Sequence, residues 1–221
     1  MRESIWAFIC ISRPRRFGKT IASNMQELLA GKGFSDVTFI PLRKEDPALI
    51  IELKKNDSAA GSIYLECTNA TAFTDRNSLI YGHNMRDKSM FGALQERFLQ
   101  EGNYLSMPFF YVYLPDGTVN RYFIFSYYET SVGSDTFSTF TEDDAYDYYV
   151  YYAKTLTEAK EEASAVLEQA GVADAVTEAG ALFAERAPIV TLSTCAGPSG
   201  TTKRFVVHGV LYGTAGMTAN D

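Results

Sequence analysis

Histidine and cysteine are scarce in this chain. Its 221 residues hold two histidines, His83 and His208, and three cysteines, Cys10, Cys67 and Cys195. So few histidines argue against a His-based metal site, and three widely spaced cysteines form neither a paired zinc-ligand motif nor a disulfide framework. Basic residues are outnumbered as well, 20 Lys and Arg against 27 Asp and Glu, for a formal net charge of −7. That balance lacks the basic footprint of a general nucleic-acid binder, so no nucleic-acid partner is expected. Long apolar runs are missing near the start. Residues 5–11 fall far short of the ~20 that a membrane helix needs. They carry no small-residue cleavage signature and run straight into Arg13, Arg15 and Arg16, so neither a signal peptide nor an anchor is visible.

Aromatic residues, by contrast, are abundant, with 14 Tyr and 15 Phe clustering between Tyr104 and Tyr152. Tyr-rich strands fit a β-structured body with half-wet faces. The length suits one medium domain, or one with a small extra piece, and can bury a core without staples.

Residues 1–58 read differently from the rest. A short apolar strand over 5–11 leads into Ser12-Arg13-Pro14-Arg15-Arg16-Phe17-Gly18-Lys19-Thr20, a sequence like a phosphate-binding loop. Lys19 would reach phosphate and Thr20 would hold magnesium, but Arg13 stands where the first glycine allows close backbone approach. Two strands over 36–42 and 48–54 follow, and Asp36 with Glu52-Leu53-Lys54 resembles the core of a PD-(D/E)XK nuclease, in which two carboxylates hold a divalent metal. The segment as a whole resembles pieces of a bacterial family of predicted ATPases with a nuclease-like C-terminal domain, with the large middle missing. It is therefore read as a leader over 1–58 ahead of a second unit over 59–221.

From residue 59 the pattern is mostly β. A strand over 61–65 and another over 78–81 deliver Gly82-His83-Asn84-Met85 to a rim. A short helix is expected from Asp87 or Ser89, carrying Met90, Phe91, Leu94 and Phe98. Residues 108–114 and 118–128 flank Pro115-Asp116-Gly117, an Asp-Gly turn that predicts a hairpin. Thr141 is expected to cap a helix running to about Gln169, with Tyr146, Tyr149, Val150, Ala153, Leu156, Ala163, Val166 and Leu167 on its core stripe. A second helix is expected over 173–186, and a fraying tail from Gly213.

The chemistry-bearing stretch is residues 189–195, Ile-Val-Thr-Leu-Ser-Thr-Cys, with Arg204 returning nine positions later. A strand ending on a cysteine holds a thiol rigidly, and a loop that brings back a guanidinium sets a fixed cation beside it. His208 lies mid-strand and reads as structural.

These residues, with Ala60-Gly61-Ser62-Ile63-Tyr64-Leu65, Tyr81-Gly82-His83-Asn84-Met85, Met90-Phe91-Gly92 and Tyr113-Leu114-Pro115-Asp116-Gly117, resemble the class B sortases in order and spacing. The resemblance implies a mainly β fold with peripheral helices: a sortase-like antiparallel β-barrel with a long helical insertion before the cysteine strand. It implies a cysteine transpeptidase that cleaves a cell-wall sorting motif at its threonine through a thioacyl intermediate and joins it to an amine. Cys195 would be the nucleophile, His83 the general acid/base and Arg204 the oxyanion stabiliser, with Ser193 and Thr194 lining the peptide groove. The implied partners are the sorting-signal peptide of a surface or pilin protein and an amine acceptor such as a peptidoglycan cross-bridge, at the extracytoplasmic face of the membrane. No cofactor and no metal are expected. The strands that precede Ala60 in that family are replaced here by residues 1–58, and a hairpin over 37–53 is expected to take the open sheet edge. The alternatives are a metal-dependent nuclease or nucleotide-binding remnant in 1–58, or a non-catalytic peptide-binding chimera.

Overall fold

The computed structural model describes residues 8–12, 38–42, 63–70, 72–88, 90–99, 103–106, 108–114, 118–198 and 200–216. Eight strands form one sheet: β1 (Phe8–Ser12), β2 (Thr38–Leu42), β3 (Tyr64–Leu65), β4 (Asn77–Tyr81), β5 (Phe109–Tyr113), β6 (Thr118–Ser131), β7 (Ile189–Cys195) and β8 (Lys203–Gly216). Their spatial order is β2-β1-β5-β6-β8-β7-β4-β3. The sheet is curled into a half-barrel rather than closed, and it is mixed rather than antiparallel. The pairs β1–β2, β1–β5 and β4–β7 run parallel, and the other four run antiparallel.

The edge beside β5 is taken by β1, with β2 outside it, so the strands that fill the open edge are parallel and come from separate stretches of the first 42 residues. The phosphate-loop residues Lys19 and Thr20, the carboxylates Asp36 and Glu52, and the strand expected over 48–54 lie outside the described residues.

Both faces of the central sheet are covered, which is why β6 reads as a continuous apolar run; Tyr122 through Tyr128 are all buried. One face packs on α1 (Leu94–Leu99) and α2 (Asn103–Ser106). There the Phe98 and Tyr104 rings lie 5.2 and 5.5 Å from Tyr127, and the Tyr104 hydroxyl donates to the Ile124 carbonyl. The other face packs on α3 (Asp143–Leu156), while α4 (Ala163–Gln169) packs against α5 (Ala175–Ala181) and α2. The stripe Tyr146, Tyr149, Val150 and Ala153 is buried against that face, as its helical spacing predicts.

The expected long helix does not run unbroken. β5 covers β6 only as far as Phe123, so the edge of β6 beyond it needs other partners. The chain leaves α3 at Thr157 to supply them: Glu158 N–H donates to the Tyr127 carbonyl (2.9 Å), and Thr157 Oγ1 accepts from Tyr127 N–H (3.2 Å). The insertion is therefore three short helices, and Leu156 ends exposed instead of on the core stripe. The N-cap of α3 is Glu142, not Thr141. Helix α1 likewise starts at Leu94, because Phe91 N–H is spent on the His83 carbonyl (3.1 Å). The expected tail is instead strand as far as Gly216, paired with Thr118.

Candidate active site

Parallel pairing of β4 with β7 sends both strands out of the core at the same end. Tyr81 lies beside Ser193 in register, and both strands are buried until their last residue, which is half-buried. The crossover between them carries the hairpin and the helices, so residues more than 100 positions apart arrive side by side. Gly82 continues the ladder by one bond, N–H to the Ser193 carbonyl at 3.0 Å, and His83 follows it on the exposed rim.

Two glycines fix that rim. A Cβ on Gly82 would meet the Phe91 ring at 2.5 Å, and one on Gly92 would meet the Met85 carbonyl oxygen at 2.2 Å. Phe91 is fully buried, so it cannot easily yield. These close approaches let 82–92 fold back on itself, with the His83 carbonyl bonded to Phe91 N–H and Asn84 bridged to Met90.

β7 and β8 are antiparallel, and Cys195 lies directly opposite Arg204. Arg204 Nη1 donates to the carbonyls of Thr201 (3.0 Å) and Lys203 (2.8 Å), which ties one end of the guanidinium to the loop. A guanidinium has five donors, so the fork is anchored without being exhausted.

His83, Cys195 and Arg204 line one cleft of about 410 Å³, together with Gly82, Ser193, Thr194, Tyr64, Tyr81, Val132, Gly133 and Phe137. All five residues singled out from sequence are thus brought together. The aromatic wall was not singled out. Tyr64 and Tyr81 are cross-strand neighbours whose rings stack at 5.2 Å, and Phe137 lies 6.3 Å beyond at 19° to Tyr81. Their signal was the alternation of β3 and β4, which puts Tyr64 and Tyr81 on one face. Burial, and then the carboxylate of Glu66, push the Tyr81 hydroxyl well above its ordinary value, and the same two causes raise Tyr64. Both phenols are therefore neutral hydrogen-bonding groups at working pH.

Ser193 Oγ and Thr194 Oγ1 are buried and have no hydrogen-bond partner among the described residues. Both residues line the cleft. A buried hydroxyl without a partner is costly, and a ligand in the cleft is one way to satisfy it. His208, away from the cleft, is core. Its Nδ1 lies 3.0 Å from Thr191 Oγ1 and 3.3 Å from the Tyr149 hydroxyl, and burial pushes it down to about 3. Cys67 is exposed, its thiol donating to Glu66 Oε1 at 3.1 Å. Among the described residues no group of His, Cys, Asp and Glu is arranged to hold a metal ion, and no helix is long and apolar enough to cross a membrane.

The half-barrel gathers a cysteine, a histidine and an arginine at its strand ends around one cleft. The family described as "Sortase domain" matches residues 40–212, well over half of the chain, and the protein belongs to that family. Sortase B of Listeria monocytogenes is 34% identical over 96 residues, which is 43% of this chain and 38% of that protein. The alignment thus spans little more than a third of the relative's length. The sortase B structure from Clostridium perfringens superposes with a TM-score of 0.59 at 23% identity, over 77% of this chain and 85% of that one. That from Bacillus anthracis, in complex with AAEK1, gives 0.54 at 26% identity, over 78% and 72%. The relatives support class B. The family match opens inside β2 and includes Glu52, Leu53 and Lys54, so the nuclease-like resemblance of residues 1–58 is not borne out.

Proposed function

We propose that the protein is a sortase-type cysteine transpeptidase, with Cys195 as nucleophile, His83 as general acid/base and Arg204 as oxyanion donor. The observation that carries this is the cross-strand pairing of Cys195 with Arg204, with His83 across the same cleft. The Cys195 thiolate attacks the carbonyl carbon of a threonine in the sorting peptide, and Arg204 donates to the oxygen that takes up the negative charge. The tetrahedral centre collapses with cleavage of the C–N bond. His83 gives its proton to the departing amine, which leaves a thioacyl ester on Cys195. An incoming amine attacks that ester, His83 takes its proton, and the thiolate departs from a new amide.

Ser193 and Thr194 serve as peptide contacts, since both residues line the cleft; the unpartnered Ser193 hydroxyl is on the Cys195 face of β7. The aromatic wall of Tyr64, Tyr81 and Phe137 excludes water from one side. The substrate is the sorting signal of a surface or pilin protein, the acceptor an amine such as a peptidoglycan cross-bridge, and the place of action the extracytoplasmic face of the membrane. Residues 59–221 carry the catalytic unit, and the chain ahead of them joins the same sheet through β1 and β2.

Incubation with a fluorogenic Asn-Pro-x-Thr-type peptide and an amine acceptor tests the reading. Cleavage with amide formation is expected, lost in Cys195→Ala, His83→Ala and Arg204→Ala while the fold is retained. Turnover that survives Cys195→Ala overturns it.

A further inference from the structure

The β4–β7 ladder ends with Gly82 N–H bonded to the Ser193 carbonyl. In a parallel ladder the next rung on that side joins positions two further along each strand, the N–H of residue 84 and the carbonyl of Cys195. β4 stops at Tyr81, and the Cys195 carbonyl accepts instead from the side chain of Asn84, Nδ2 to O at 2.8 Å. The Asn84 backbone is turned the other way, bridged to Met90, while the His83 carbonyl takes Phe91 N–H. A side-chain amide thus stands in for a backbone amide. This lets the main chain leave the sheet at His83 without losing its grip on the neighbouring strand.

We infer that Asn84 is a positioning residue of the proposed reaction, its carboxamide fixing the main chain of His83 against that of Cys195. The inference rests on the assignment of those two residues to the chemistry. The residue type fits the task. Asparagine has a donor at the end of a short, stiff side chain, whereas aspartate has nearly the same shape but only acceptors when ionised. Asn84 is exposed, so its loss empties no core. Without it, water can satisfy the Cys195 carbonyl, but nothing in that exchange holds the histidine rim at a set distance from the thiol. A misplacement of about 1 Å between reacting groups can cost about 100-fold in rate.

The test compares the full chain with Asn84→Ala, Asn84→Asp and His83→Ala. Three readouts are taken: peptide turnover, melting temperature, and the pH profile of iodoacetamide modification followed at the Cys195 peptide by mass spectrometry. Both Asn84 variants are expected to lose about 10- to 100-fold in kcat with KM little changed and to melt with the wild type. Their alkylation profiles should coincide with that of His83→Ala instead of the wild type. A wild-type alkylation profile in both variants, with or without loss of turnover, overturns the positioning role. If the wild-type profile is itself untouched by His83→Ala, the assignment of the Cys–His pair fails, and this inference falls with it. If the wild type turns over no peptide but its profile responds to His83→Ala, the alkylation comparison alone decides.

Discussion

Cys195 and Arg204 face each other across β7 and β8 as a register pair, so the sheet itself sets the distance from thiol to guanidinium. A slip of one residue would turn one of the two to the opposite face. The Thr201 and Lys203 carbonyls then fix the side chain, leaving donors of the fork for a substrate oxygen. Replacing Arg204 by lysine keeps the charge and loses the planar fork. Arg204→Lys and Arg204→Ala are both expected to lower kcat about 100- to 1,000-fold on the sorting peptide, with little change in melting temperature because the side chain is half-exposed. Retention of kcat/KM in Arg204→Lys would show that charge alone suffices.

Gly82 tests the rim from the other side. An added Cβ would meet three atoms of the Phe91 ring at 2.5–3.0 Å. Either the ring or the 82–84 backbone must move. Gly82→Ala is therefore expected to destabilise by about 1–3 kcal/mol, the ordinary cost of overpacking. It should also lower kcat, because the residue that moves next is His83. Urea denaturation and peptide turnover read the two effects separately. An unaltered midpoint would mean that Phe91 has room to yield.

The residues that meet at the cleft were legible because each sits in a short local frame: a strand ending in cysteine, an arginine opening the next strand, and a glycine-preceded histidine. The antiparallel pairing of β5 with β6 was legible from the Asp-Gly sequence between them, and the tyrosine stripe of α3 from its spacing. What local pattern could not show was pairing at a distance. Nothing in residues 143–169 says that Tyr127, on another element, has an uncovered edge that draws the chain out of its helix at Thr157. The parallel pairing of β1 with β5 was hidden in the same way, because register between distant strands is decided by burial and not by propensity. The aromatic wall was spelled out in the alternation of β3 and β4, but its meaning depended on Phe137, which follows a loop more than 50 residues later.

His208 makes the protein sensitive to acid. Its folded-state value is depressed to about 3 by burial, against an ordinary 6.5. Between those values the unfolded chain holds a proton that the native protein does not, so stability falls as pH drops through 6.5 and continues to fall toward 3. The contribution is about 1.4 kcal/mol per pH unit inside that window. His208→Gln removes this titration while keeping a polar group beside Thr191. It is expected to be less stable at pH 7 but to have a flatter dependence between pH 6 and pH 4, about 2–3 kcal/mol less of it than wild type. Denaturant midpoints across that range measure the difference. Carboxylate protonation is common to both proteins and cancels.

Ser193 and Thr194 set stability against function. Their hydroxyls are buried and unpartnered among the described residues, so each carries a desolvation cost of about 1–3 kcal/mol, which for Ser193, on the Cys195 face, a bound ligand would offset. Ser193→Ala removes such a group and leaves the β7 ladder intact. The variant is expected to melt no lower than wild type, and higher if the free cleft is dry. With peptide, the sign reverses: a lost hydrogen bond in the bound state raises KM, by about 3- to 10-fold for a bond worth about 1 kcal/mol. Because that contact is made to substrate and transition state alike, kcat should move little. Melting temperature without peptide and steady-state kinetics with it separate the two signs. A variant that melts lower and binds as well as wild type would mean that the hydroxyl is satisfied inside the protein and not by the substrate.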